Sequence, residues 1–258
     1  MDARLLELIA EAEALRKQHP GCGVEKMYHA LQPHFIGRDR FIEVMMDVGF
    51  RLKRARNFKR TTYAGKTHYS NLIKGMSVSA PSTIWQSDIT YIPIGNEFYY
   101  GVFIIDVYSK KIVGYQISKS MRAIANVKAL EMALRSNKAP IIHHSDRGSQ
   151  YIANEYISIL KNHNTQISMG LIAQDNAYAE RINRTIKEEY LTPWRIKTYA
   201  QLKSSASKAV NHYNNSRHHK HLDRMSPMDF EHKCLTDKTF QKPIITIFDE
   251  TISKTGQH

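Results

Sequence analysis

Cysteine is almost missing from this sequence, long apolar runs are absent, and acid is in short supply. The two cysteines, Cys22 and Cys234, lie far apart and form no CxxC or mixed Cys/His spacing. That excludes a disulfide framework and the usual structural zinc sites. The longest apolar stretch, around residues 98–105, is too short to cross a bilayer. Asp2 and an amphipathic segment follow Met1, which is no secretory signal. The expectation is a soluble cytoplasmic protein with no membrane partner.

The shortage of acid is more informative. Against 37 Lys and Arg stand only 24 Asp and Glu, a formal charge of +13. Lys and Arg in such excess fit a polyanionic partner, because neutralising phosphates drives their binding. The excess is uneven. Residues 1–80 carry +6, residues 81–190 carry +2 and residues 191–258 carry +5. A nearly neutral centre between basic flanks suits a folded core held on nucleic acid by basic arms.

The first region reads as helical. Val24, Met27, Tyr28 and Leu31 recur at i, i+3, i+4 and i+7, as do Phe41, Val44, Met45 and Val48. The connector QPHFIG holds a Pro and a Gly, so the pair is helix-turn-helix-like. Arg38 and Arg40 open its second helix, where base-contacting residues often sit. A basic run at 51–60, with Arg51, Lys53, Arg54 and Arg56, reads as a phosphate-tracking arm. The expected organisation is a helical DNA-binding region at 1–57 and a basic, polar linker at 58–80. A catalytic core with a helical extension follows at 81–233, and a tail at 234–258 that holds one short apolar run, IITIF, and then frays.

From residue 81 the pattern alternates. TIWQSDITYIPI, EFYYGVFIIDVYS and KIVGYQIS are rich in β-branched and aromatic residues, which predicts an antiparallel three-strand meander. Helix 124–134, the buried strand PIIHHSD, helix 154–161, the strand TQISM and one long helix over 177–191 follow. This order predicts an α/β fold, a mixed sheet with helices on both faces. A further helix carries Leu202, Ala206, Ala209 and Tyr213.

Three acids stand out within that frame. Asp88 occupies a strand interior, where acids are disfavoured. Asp146 follows an apolar strand, at the carboxyl end where α/β sheets place ligand-binding groups, and Gly148 allows a tight turn there. Glu180 lies in the first turns of a helix. Converging carboxylates repel each other unless a cation holds them. All-oxygen donors favour Mg²⁺ or Mn²⁺, and two such ions suit in-line attack on phosphodiesters. On the helix, Glu180, Asn183, Arg184 and Lys187 share one side, while Ala179, Ile182, Ile186 and Tyr190 share another. His143 and His144 read as packed strand-end histidines, and Asp106 as a turn cap.

WQSDITYI, HHSDRGSQY, DNAYAERINRTIKEEY and HYNNSRHHKHLDRMSPMDF resemble the second-reading-frame product of insertion-sequence-three family transposases, which carry an integrase core. The resemblance spans about residues 20–232. It implies an RNase H-like fold with a five-stranded mixed sheet, and an Asp-Asp-Glu triad falling on Asp88, Asp146 and Glu180. It further implies Mg²⁺ (or Mn²⁺), two ions, with nicking at element ends and attack of the freed 3′ hydroxyl on target DNA. By position Lys187 resembles the helix lysine with which integrase-like enzymes hold DNA ends, while Arg184, one turn from Glu180, suits gripping a phosphate beside the metals; Trp85, Arg147, Gln150 and Asn176 fall within the same motifs. Tyr213, Asn214, Arg217 and Pro227 fall in the carboxy-terminal signature. The implied partners are double-stranded DNA of element ends and target, a first-frame product or fusion, and further copies of the chain on DNA, in a bacterial nucleoid setting. Thirty-three residues separate Asp146 from Glu180, two fewer than usual in that family, with the deficit in GLIAQ. An RNase H-like nuclease that does not join, and a non-enzymatic DNA-binding product, stay open as alternatives. The amino-terminal His/Cys zinc site of retroviral integrases has no counterpart.

Overall fold

The computed structural model describes residues 3–52 and 69–247. Lys53, Arg54 and Arg56 of the basic run, with residues 58–68 of the expected linker, lie outside the described residues. In chain order the helices are α1 (Ala3–Gln18), α2 (Val24–Leu31), α3 (Arg38–Asp47), α4 (Ala123–Ser136), α5 (Asn154–Asn162), α6 (Ala177–Thr185), α7 (Tyr199–Asn215) and α8 (Pro227–Thr236). The strands are β1 (Ser77–Val78), β2 (Ile84–Ile94), β3 (Glu97–Asp106), β4 (Ile112–Ser118), β5 (Ile142–Ser145), β6 (Gln166–Met169) and β7 (Ile245–Thr246). Two compact units divide the chain. One is Met1–Arg60 with Thr185–Pro227, the other Thr61–Arg184 with Met228–His258. Residues 185–227, part of the stretch 81–233 expected as the core and its extension, group with the amino-terminal helices.

The α/β unit is built on a five-stranded sheet in the order β4-β3-β2-β5-β6. The β2–β3–β4 meander is antiparallel, and β5 and β6 add in parallel beside β2. Ile94 pairs with Glu97 across Gly95-Asn96, and only Gly95 of these two has a positive φ, 58°. That is the glycine position of a type II′ hairpin turn. The parallel strands are four residues each, and β5 is buried throughout, as expected for strands covered on both faces.

Alternation along β2 sends Trp85, Ser87 and Ile89 to one face and Gln86 and Asp88 to the other. On the first face Trp85 packs with Val102, Ile104 and Val113, beneath Leu130 and Ala133 of α4 and Tyr156 and Leu160 of α5. At Gly114 of β4 an added Cβ would lie 2.2 Å from the Ala129 carbonyl oxygen, so only glycine lets α4 approach that closely. On the second face, Gln86 and Asp88 bond to α6. The apolar run of the tail contributes β7, which pairs antiparallel with β1, since Ile245 and Ile247 find cover there.

In the helical unit, α1, α2 and α3 enclose Leu8, Ala12, Val24, Met27, Phe41, Met45 and Phe50. Val48 departs from the expected apolar face and is 40% exposed. The helix ends there, Gly49 takes φ 93°, and Phe50 fills the buried place instead.

The long helix expected over 177–191 is also interrupted. α6 ends at Thr185 and residues Ile186–Leu191 form a π turn, in which the Thr192 amide reaches back to the Lys187 carbonyl at 2.9 Å. The wider turn buries both Tyr190 and Leu191, which an α-helical turn would point about 100° apart. The phase that grouped Lys187 with Glu180 therefore stops at the end of α6.

Candidate active site

Strand register brings the first two acids together. Ser87 of β2 pairs with Ser145 of β5; Asp88 follows on β2, and Asp146 is the first residue past the end of β5. Asp88 accepts from its neighbour, the Ile89 amide, at 2.8 Å through Oδ1, and from the Asn183 side-chain amide at 2.8 Å through Oδ2. Asp146 Oδ1 accepts from the Gly148 amide at 3.0 Å. Gly148 is not there for a left-handed turn, because its φ is −59°. Its glycine identity answers crowding: an added Cβ would stand 3.0 Å from both Asp146 Oδ1 and Gln150 Oε1.

Glu180 arrives on the first turn of α6, and three contacts fix that helix to the sheet. Gln86, fully buried, accepts the Tyr178 and Ala179 amides at 3.1 and 3.3 Å and donates to the Asp175 carbonyl at 3.2 Å. These are amides that a helix start leaves unpaired. Asn176 donates to the Ser87 carbonyl at 2.9 Å, and Asn183 adds its bond to Asp88. The GLIAQ loop is closed by Asp175, whose carboxylate accepts the Leu171 and Ile172 amides at 2.7 and 3.2 Å. The anchoring of α6 thus runs through β2 and does not rely on loop length. Sequence reasoning missed Gln86; the available signal was a second polar residue two positions before Asp88, on the same face of the strand.

The electrostatics are those of acids that raise one another. Burial first, then the charge of Asp146 and also Glu180, pushes Asp88 up to about 7. Burial and Asp146 also raise Glu180, against the pull of Arg184. The donors are all carboxylate oxygen, with the Asn183 Oδ1 atom buried and unpartnered among the described residues beside them. This set fits a hard divalent cation and not a thiophilic one. Among the described residues no three ligating side chains are already gathered at metal-binding distance.

The neighbouring polar residues are structural. Burial holds His143 down at about 3 and His144 at about 4. Both bond as neutral rings, His143 with the Tyr156 hydroxyl at 2.9 Å and His144 with Ser168 at 2.8 Å. Asp106 accepts the Ser82 and Ser109 amides at 2.6 and 2.7 Å, capping its turn.

The expected DNA contacts are dispersed. Arg184 is exposed on α6 and Arg147 half-buried just after Asp146, while Lys187 is half-buried in the π turn. Arg38, Arg40 and Arg51 are exposed in the helical unit. Arg38 pairs with Asp39 at 2.8 Å and Arg40 with Glu43 at 2.6 Å.

Residues 78–173 and 164–227 match two family models, each described as an integrase core domain. The 31 kDa protein of insertion element IS600 from Shigella sonnei is 34% identical over 77% of this chain and 76% of its own length. The transposase InsF of insertion sequence IS3A from Escherichia coli is 31% identical over 72% of this chain and 68% of its own. The HTLV-2 integrase catalytic core domain, solved with magnesium, superposes with a TM-score of 0.51 at 18% identity. That match covers 59% of this chain and 98% of that one, and establishes the RNase H-like fold. The chain belongs to the IS3 family of transposases, built on an integrase core.

Proposed function

We propose that Asp88, Asp146 and Glu180 are the catalytic acids of this transposase and that they hold two Mg²⁺ (or Mn²⁺) ions. The observation that carries the proposal is the register that sets Ser87 beside Ser145, so that Asp88 and Asp146 follow side by side, with Asn183 tying Asp88 to the helix of Glu180; the upward push on Asp88 from burial and the charge of the two other acids agrees with it. A divalent cation bound there would relieve that repulsion and supply Lewis-acid activation of a phosphodiester and its attacking oxygen.

The protein's own groups then have separate tasks. Asn183 and the Ile89 amide orient Asp88, the Gly148 amide orients Asp146, and Gln86 holds the helix that carries Glu180. Arg184 and Arg147 offer guanidinium groups to DNA phosphates beside the acids. In the first step water attacks a phosphodiester at the element end and frees a 3′ hydroxyl. In the second that hydroxyl attacks a phosphodiester of target DNA, forming one P–O bond as another breaks and the departing oxygen takes up a proton.

Lys187, Arg38, Arg40, Arg51, Lys53, Arg54 and Arg56 extend the contact to double-stranded DNA, with the helix-turn-helix-like region 1–57 assisting in end recognition. Joining requires two DNAs held at once, so further copies of the chain, and a first-frame partner, are part of the same proposal.

The test is a joining assay with labelled element-end DNA taken from the sequence flanking the gene, in Mg²⁺ or Mn²⁺, with a first-frame partner added if the locus encodes one. Metal-dependent joined products that disappear with Asp146→Ala support the reading. Cleavage without joining would replace it with a nuclease, and salt-sensitive binding without chemistry with a DNA-binding product.

A further inference from the structure

Within the helical unit, a cleft of about 800 Å³ is lined by the end of α1, the segment after the π turn and one side of α7. Lys17, Arg195, Lys197 and Lys208 line it, and no Asp or Glu does. All four side chains are exposed, and none is in an ion pair among the described residues. Other cations of the same unit are neutralised: Lys26 and Arg217 by Glu189, Arg38 by Asp39 and Arg40 by Glu43. Four uncompensated charges around a concave surface focus a positive potential there and repel one another until an anion arrives.

Two further features belong to the cleft. Trp194 forms part of the wall and is half-buried, with its indole N–H donating to the Lys17 carbonyl at 3.4 Å. Arg195 holds φ at 50°, the left-handed region, in a non-glycine residue. Such a conformation is strained and persists where the surroundings impose it, often at binding sites. His212 also lines the cleft, but burial pushes it down to about 4 and its Nδ1 bonds to the Tyr190 hydroxyl at 3.0 Å. The positive charge therefore comes from the four long side chains.

We infer that this cleft is a DNA-contact surface, in which Lys17, Arg195, Lys197 and Lys208 hold backbone phosphates and Trp194 packs against a sugar or base. The inference rests on the reading of the chain as a transposase acting on DNA, and adds a surface that the linear sequence hides, because Lys17 and Lys208 are far apart in the chain. The chemistry favours a polymer over a small anion. A small anion is held by enclosed charged groups, whereas all four cations here are exposed, as in grooves that track a nucleic-acid backbone beside an aromatic platform.

The experiment uses the whole chain in EDTA, so that binding is read without chemistry. Trp85 is fully buried and Trp194 is the only other tryptophan, so fluorescence quenching by a mixed-sequence duplex reports on Trp194, and Trp194→Phe should remove the signal. Anisotropy of the labelled duplex across a salt series should show a slope of log K on log salt smaller by roughly 3 in Lys17→Gln/Lys197→Gln/Lys208→Gln. The exposed lysines of the other unit, changed as Lys128→Gln/Lys138→Gln/Lys161→Gln, control for net charge and should leave the slope unchanged.

Equal slope losses in the two triple variants would overturn the inference. So would saturating duplex that leaves Trp194 unquenched, or inorganic phosphate alone reproducing the quench. If the cleft variant fails to fold, the wild-type quench still decides. Joining that fails while these binding results hold counts against the triad proposal alone. Normal joining and a normal salt slope in the cleft variant count against the cleft alone.

Discussion

Asp88 in the α/β unit and Glu189 in the helical unit are both carboxylates largely withdrawn from water, and they are driven in opposite directions. Asp88 has two further acids acting on it and is pushed up to about 7 by burial and their charge. For Glu189, burial pulls upward, yet bonds from Arg217 and His19 hold it far below the usual carboxylate range. Arg217 grips both its oxygens at 2.8 Å, Lys26 reaches Oε1 at 2.7 Å, and His19 Nε2 lies 2.6 Å from Oε2. Burial holds His19 below its ordinary value, so it donates as a neutral imidazole and the charge balance rests on Arg217 and Lys26. The Glu189 site is neutralised within the chain, and at the Asp88 site the proposed cation would relieve the repulsion. A buried carboxylate becomes a fastener or a ligand according to the partners placed around it.

Removing charge from the open site should cost activity and not stability. Asp88→Asn is expected to lower joining on the order of 10²–10³-fold or more. Its melting temperature in EDTA should stay level or rise, since one of three repelling charges is gone. A fall in stability together with unchanged joining would assign Asp88 a purely structural place.

At the closed site the expectation reverses. Glu189→Gln leaves Arg217 charged and buried without its anion, which costs about 3–5 kcal/mol by analogy with other broken buried pairs. Urea unfolding, followed by helical circular dichroism without metal, measures it. A loss below about 1 kcal/mol would mean that water reaches the cluster freely.

The two sites also make opposite contributions as pH changes. Glu189 has a depressed folded-state pKa, so its stabilisation is present above the unfolded value of about 4.3 and is lost as pH falls below it. Asp88 has a raised one, so its penalty begins as pH climbs past about 3.9 and is complete above about 7. Asp88→Asn should therefore raise the melting temperature more at pH 8 than at pH 4. Mg²⁺ should remove that difference by stabilising the wild type, and a gain independent of pH would separate it from ionisation.

What the sequence revealed of each site follows from how local its determinants are. The meander and the positions of Asp88 in a strand, Asp146 past a strand end and Glu180 at a helix start were legible, because alternation and helix starts are written over a few residues. The neighbouring of β2 and β5 was legible only as a condition. The Glu189 cluster was not, since it joins residues 19, 26, 189 and 217, and Glu189 reads locally as one more charge on a helix. Arg217 was noticed through its motif, and its partner emerged only with the fold. Gly21 is similar: an added Cβ would lie 2.2 Å from the Glu189 Cα, a contact no local pattern records. The π turn escaped because its residues have ordinary helical preferences, and packing of Tyr190 and Leu191 sets it.

The smallest expected effect probes what connects the fold to the open site. Gln86 carries no charge, yet two of the first amides of α6 end on its side-chain oxygen. Gln86→Leu fills similar volume and leaves those amides and the Asp175 carbonyl without their bonds, at a cost of about 1–3 kcal/mol. If Gln86 acts by positioning Glu180, joining should fall more than this loss of stability explains, and raising Mn²⁺ should restore part of it by compensating for weaker ligation. Gln86→Glu keeps the acceptor but adds a fourth acid on the face of Asp88, so it should hold the helix less well at pH 8 than at pH 5. A joining rate indifferent to Mn²⁺ in Gln86→Leu would reduce Gln86 to a packing residue and leave the α6 anchor to Asn176 and Asn183.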